Sequence, residues 1–139
     1  MSTQIRTLCG KVEPEGQGLD VASANLAPVE HLIIERTGLP SVVPGTLNIV
    51  LAGSYVVEPD AEITAAEYNQ IEVIKLQRCI LRGVRAVIMR PDSHELTPRG
   101  IGRLELMSHY KLRTHLKLDD NEEVEVEIGG DRDWWDGAE

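Results

Sequence analysis

The stretch Ile71-Glu72-Val73-Ile74-Lys75-Leu76-Gln77-Arg78-Cys79-Ile80-Leu81-Arg82-Gly83-Val84-Arg85-Ala86-Val87-Ile88-Met89 decides the fold class. It is two β-rich runs separated by Arg82-Gly83, the turn chemistry of a tight hairpin. Downstream, residues 91–102 form a loop rich in Pro, Gly and polar side chains, and residues 103–108 a short strand. Residues 109–118 read as one or two helical turns, because Tyr110, Leu112 and Leu116 do not alternate. After a turn at Asp119-Asp120-Asn121, Val124, Val126 and Ile128 alternate with Glu123, Glu125 and Glu127, a half-buried strand. Upstream, residues 5–12 read as a strand entering a turn at 13–18. A helix follows, capped by Ser23 or Asn25, with Pro28 in its first turn and Val29, Leu32, Ile33 and Arg36 at helical spacing. Gly38 and Pro40 stop it. Residues 42–52 read as strand around a kink at Pro44-Gly45, and residues 58–70 as a polar surface excursion.

Six or seven short strands with one main helix and a short second helical turn predict a mostly β domain, a closed or partly closed barrel. The expected organisation is a single domain over residues 1–130 and an acidic, flexible, frayed tail over 131–139. With no Phe and both tryptophans in that tail, the core is expected to be aliphatic. Net charge is −9, yet residues 1–118 are neutral and the whole excess lies in residues 119–139. No basic stripe is present to replace nucleic-acid counterions, so a nucleic-acid partner is not expected. Cys9 and Cys79 show no paired-ligand spacing and read as reduced thiols. Neither a signal-peptide pattern nor an apolar run of the roughly 20 residues a membrane helix needs is visible. A cytoplasmic monomer is expected.

No G-x-x-x-x-G-K-[ST], G-x-S-x-G or H-E-x-x-H occurs, and His31, His94, His109 and His115 do not share a helical face. Four local features remain. In Pro44-Gly45-Thr46-Leu47-Asn48, an extended backbone puts the Thr46 hydroxyl and the Asn48 amide on one side; such neutral oxygens suit magnesium, or equally a turn cap. Gly16-Gln17-Gly18 allows close approach of backbone N–H groups to phosphate, or is an ordinary turn. Lys111-Leu112-Arg113 offers two cations for phosphates, or a solvated face continued by Lys117. Glu105, between Leu104 and Leu106, faces water or accepts hydrogen bonds from a ligand.

The order of these features, with Gly10-Lys11-Val12 before them and Arg103-Leu104-Glu105-Leu106 and the acidic turn at 119–123 among the later ones, resembles the archaeal-type CTP-dependent riboflavin kinases over about residues 8–130. The resemblance implies a small cradle-loop β barrel. It implies magnesium at Thr46 and Asn48, nucleotide at Gly16, Gln17, Gly18, Lys111, Leu112 and Arg113, and flavin at Glu105. The reaction implied is transfer of the γ-phosphoryl group of CTP to the 5′-hydroxyl of riboflavin, giving FMN and CDP. It assigns no residue to proton transfer. The chain departs from the family pattern at Leu19-Asp20-Val21, where a third glycine and a basic residue are expected, and at Ala22 and Ser23, where an aromatic is expected. The flavin-facing Thr of the loop after Pro91 falls near Ser93 or His94. A barrel that kept its fold and binds a nucleotide, a flavin or a protein partner without catalysis is the alternative expectation.

Overall fold

The computed structural model describes residues 4–14 and 27–139. Among these residues seven strands, β1 (Arg6–Val12), β2 (Leu47–Leu51), β3 (Ala61–Ile63), β4 (Ile74–Leu81), β5 (Val84–Pro91), β6 (Arg103–Ser108) and β7 (Glu123–Ile128), lie in the order β3-β4-β5-β6-β2-β1-β7. Every pairing is antiparallel, and β4 also pairs with β7, closing six strands into a barrel. One edge of β4 is shared: Ile74 to Leu76 take β3, whereas Ile80 and Leu81 take β7. The mostly β barrel expected from the sequence is thus present, with β3 as an extra strand. Closure gives each barrel strand a neighbour on both sides, β4 and β7 meeting at Ile80 and Leu81.

The β4–β5 hairpin turns where the sequence places it. Arg82 and Gly83 both adopt positive φ (48° and 79°), the left-handed pair whose twist matches that of the flanking strands. Side chains then alternate between two cores. Inside the barrel, Val12, Leu47, Ile49, Ile88, Leu104 and Val126 form an aliphatic interior. Gly10 faces this interior at a point with no room: a Cβ there would lie 2.6 Å from Ile49 Cγ2 and 2.6 Å from the Val50 carbonyl oxygen. Outside β4 and β5, helix α1 (Glu30–Thr37), β3 and the C-terminal segment cover a second core that includes Ile33, Ile63, Leu76, Val87 and Met89. A 3-10 turn, Ala27–Val29, leads into α1, and Gly38 ends it by donating its N–H to the Ile34 carbonyl.

Four sequence expectations are corrected. The strand read over residues 42–52 begins only at Leu47, because the backbone turns at Gly45 (φ 97°). The polar excursion contains β3, a three-residue strand on the edge of β4. The loop after Pro91 holds two single-turn helices, α2 (Asp92–Glu95) and α3 (Pro98–Ile101). It is anchored by Arg90, 1% exposed, which pairs with Glu95 (2.9 Å) and donates to the carbonyls of Tyr55 (2.9 Å) and Arg103 (2.7 Å). The tail is not frayed. Residues Arg132–Asp136 form a helix whose N-cap Asp131 accepts from the Trp134 N–H at 2.8 Å. Trp135 is fully buried in the outer core, and its Nε1 donates to the carbonyls of Cys79 (3.0 Å) and Ala86 (3.2 Å). The core is therefore aliphatic inside the barrel, whereas the outer core adds the Trp135 ring to its aliphatic side chains. Both thiols are free, with Cys9 exposed and Cys79 buried; burial pushes the Cys79 thiol up. Among the described residues, no helix is long and apolar enough to cross a membrane.

Candidate functional site

Strand β2 leaves Gly45 with Leu47 and Ile49 turned into the barrel, so Asn48 points outward. Thr46 points the same way: its hydroxyl donates to Asn48 Oδ1 across 3.2 Å. The two oxygens are therefore neighbours by observation, not only by strand period. Adjacent ligands of an octahedral magnesium at about 2.1 Å stand about 3 Å apart, so this pair fits two neighbouring positions around such an ion. Among the described residues no cluster of three or more His, Cys, Asp or Glu is placed to hold a metal. A cation at Thr46 and Asn48 would draw the rest of its shell from water and ligand oxygens.

These residues open into a cavity of about 340 Å³. Lys111, Leu112 and Arg113 line its other wall, with Glu13 and Tyr110 beside them. The wall is built on helix α4 (Leu112–His115), the helical turn expected from the sequence. Leu112 is 4% exposed and packs into the inner core, so it anchors the segment by its side chain. Lys111 is exposed at the rim, whereas Arg113 lies half-buried. The Tyr110 ring stacks on His115 (centroids 3.9 Å apart, planes 5° from parallel).

Glu105 lies on β6 directly opposite Asn48 in the strand register and is 4% exposed. It does not face water. Opposed residues of an antiparallel pair project from the same face, so Glu105 and Asn48 share the outer side of this wall. From α2, His94 brings Nδ1 to 3.8 Å from Glu105 Oε2. Burial, assisted by the positive charge of Arg90, holds the His94 imidazole below its ordinary range, although Glu72 opposes this. Gly16, Gln17, Gly18 and Asp20 lie outside the described residues.

Sequence reasoning missed Glu13. Its buried carboxylate pairs with Arg103, and its backbone bonds to both Asn48 and Arg113. No local pattern marks it, because Arg103 stands 90 positions away. A larger cavity, about 1070 Å³, runs over the outer face of β1 and β7. Glu123, Glu125 and Glu127 line it together with Lys11 and Arg82, and among the described residues it contains none of those singled out for binding.

The family labelled CTP-dep_RFKase, described as domain of unknown function DUF120, matches residues 26–128. The chain belongs to the CTP-dependent riboflavin kinase family. A riboflavin kinase from Methanocella arvoryzae is 35% identical to it over 89 residues. That match covers 61% of this chain and 40% of the relative, so the chain spans less than half the length of the kinase it resembles. The matched family region includes every described candidate of the CTP-dependent riboflavin kinase pattern: Thr46, Asn48, Glu105, Lys111, Leu112 and Arg113.

Proposed function

We propose that this chain is a riboflavin kinase that transfers the γ-phosphoryl group of CTP to the 5′-hydroxyl of riboflavin, giving FMN and CDP. The observation that carries the proposal is the single cavity shared by Thr46 and Asn48 on one wall and Lys111 and Arg113 on the other. Phosphoryl transfer asks mainly for positioning and for stabilisation of charge on the phosphate oxygens. Two cations facing two neutral oxygens supply both.

Thr46 and Asn48 are the residues assigned to magnesium, which when bound supplies charge neutralisation for the phosphates. Lys111 and Arg113 are assigned to the phosphate groups, and Glu105, opposite Asn48, to a hydrogen bond from the flavin. The Gly16-Gln17-Gly18 segment is assigned to the nucleotide as well. In the step itself the riboflavin hydroxyl oxygen bonds to the γ-phosphorus, the bond from that phosphorus to the CDP oxygen breaks, and the hydroxyl proton is released. CTP as donor rests on the family. The test is to incubate the purified chain with riboflavin, magnesium and, separately, CTP, ATP, GTP and UTP, and to look for FMN by chromatography. FMN formed with CTP supports the proposal. Absence of FMN with every donor, from a folded protein, overturns it in favour of a binding module.

A further inference from the structure

The backbone that leaves β1 is held by an ion pair between residues that no single sequence motif contains. The Glu13 side chain is 5% exposed and that of Arg103, on β6, is 22% exposed. Arg103 meets the carboxylate with Nη2 at 2.7 Å from Oε1, and with Nε at 3.1 Å from Oε1 and 3.3 Å from Oε2. The backbone of Glu13 is engaged on both sides. Its N–H donates to the Asn48 carbonyl at 2.9 Å, and its carbonyl accepts from Arg113 Nη2 at 2.6 Å. Arg113 Nη1 donates in turn to Asp120 Oδ1 at 2.9 Å. One residue therefore ties β1's end to β2, β6 and α4.

A buried ion pair is a weak source of net stability, since desolvating both charges offsets most of their attraction. What this pair does enforce is geometry. Asn48 and Arg113 stand on opposite walls of the cavity, and Glu13 bonds to both, through its N–H to one and its carbonyl to the other. Fixing its side chain on Arg103 removes the freedom of that bridge. We propose that Glu13 is a positioning residue for phosphoryl transfer: paired with Arg103, it sets the span between the cations of α4 and the oxygens of Thr46 and Asn48. The proposal rests on the kinase reading above. The Glu13 carbonyl bonds directly to Arg113 of the nucleotide wall, whereas Glu13 reaches Glu105 only by way of Arg103 two residues along β6, so its loss acts more on CTP than on riboflavin.

The test measures KM for CTP and for riboflavin, together with the melting temperature by circular dichroism, in Glu13→Ala and Glu13→Gln. Glu13→Ala is expected to raise the CTP KM about tenfold, as a displaced binding group does, and to move the riboflavin KM by less than about twofold. Glu13→Gln still accepts from Arg103 and restores most of the loss. A lower melting temperature with both KM values unmoved would assign the pair to stability alone and overturn the proposal. Should Glu13→Ala not fold, Arg103→Gln breaks the same pair from its more exposed end, and an unmoved CTP KM there overturns it equally. A wild-type chain that forms no FMN overturns the kinase reading and this proposal together, whereas an active wild type with no KM split overturns this one alone.

Discussion

The barrel wall treats its outer surface in two opposite ways. Over β4 and β5 the outward residues Ile74, Leu76, Ile80, Val87 and Met89 are apolar and lie under α1, β3 and the C-terminal helix. Over β2 and β6 the outward positions include Asn48, which lines a cavity, and Glu105 opposite it in the register. One row of the register crosses the border, from Met89 through Glu105 to Asn48. In three strands the wall passes from a covered apolar layer to the polar groups of the site. A closed barrel needs only its interior for a core, so its outer face is free to be used either for more core or for chemistry. Here it does both, and the two uses share β6.

The largest expected effect breaks the covered side. Trp135→Ala removes the largest fully buried side chain and two hydrogen bonds to Cys79 and Ala86, so it is expected to cost about 3–5 kcal/mol in urea unfolding followed by circular dichroism. A cost below about 1 kcal/mol would show that the C-terminal helix merely leans on the barrel. On the open side, Thr46→Ala and Asn48→Ala are each expected to lower FMN formation at limiting magnesium about a hundredfold, with the melting temperature unmoved. Full turnover in both variants would remove the metal assignment. Lys111→Ala, at the exposed rim, is expected to raise the CTP KM about tenfold, with a steeper salt dependence in the wild type than in the variant. Equal salt slopes would place Lys111 away from the phosphates.

The smallest effect returns to the cover. Arg36 on α1 grips both carboxylate oxygens of Glu67, and with hydrogen bonds from Thr64 it holds that carboxyl at about 2, below its ordinary value of 4.5. A carboxyl depressed on folding contributes its full stabilisation above the unfolded value and loses it as pH falls through the folded one. Between pH 4.5 and 2 the urea midpoint of the wild type should therefore fall faster than that of Glu67→Gln, the two converging near pH 2. Parallel profiles would show that the Arg36–Glu67 contact does not tie α1 to the connection between β3 and β4.

Where a pattern is local, the sequence sufficed. Arg82-Gly83 predicts the hairpin turn, alternation predicts β7, and the polar, Gly- and Pro-rich residues before Arg103 together with the loss of alternation after Ser108 bound β6. Strand period puts Thr46 and Asn48 on one side, and their 3.2 Å contact agrees. What escaped was either short or distant. β3 is three residues long and exists because β4 offers it an edge. Glu13 looks like a turn residue until Arg103 arrives 90 positions later. The C-terminal helix was hidden by its own charge: an acidic run reads as solvated, yet Asp131 is an N-cap and Trp135 carries the burial. Burial of Glu105 was equally out of reach, since one carboxylate between two leucines has the same local pattern on a wet face and on a covered one.

Docking of that helix also determines what light can report about this molecule. The chain has two tryptophans, and both lie in the C-terminal helix. The buried Trp135 ring sits with the guanidinium carbons of Arg78, Arg85 and Arg132 at 5.5, 5.3 and 5.6 Å from its centroid. Tryptophan emission therefore follows the seating of this one helix on the outer wall, and the barrel interior, which contains no tryptophan, is silent at that wavelength. A fluorescence melt that precedes the loss of β signal would time the peeling of the outer layer from an intact barrel.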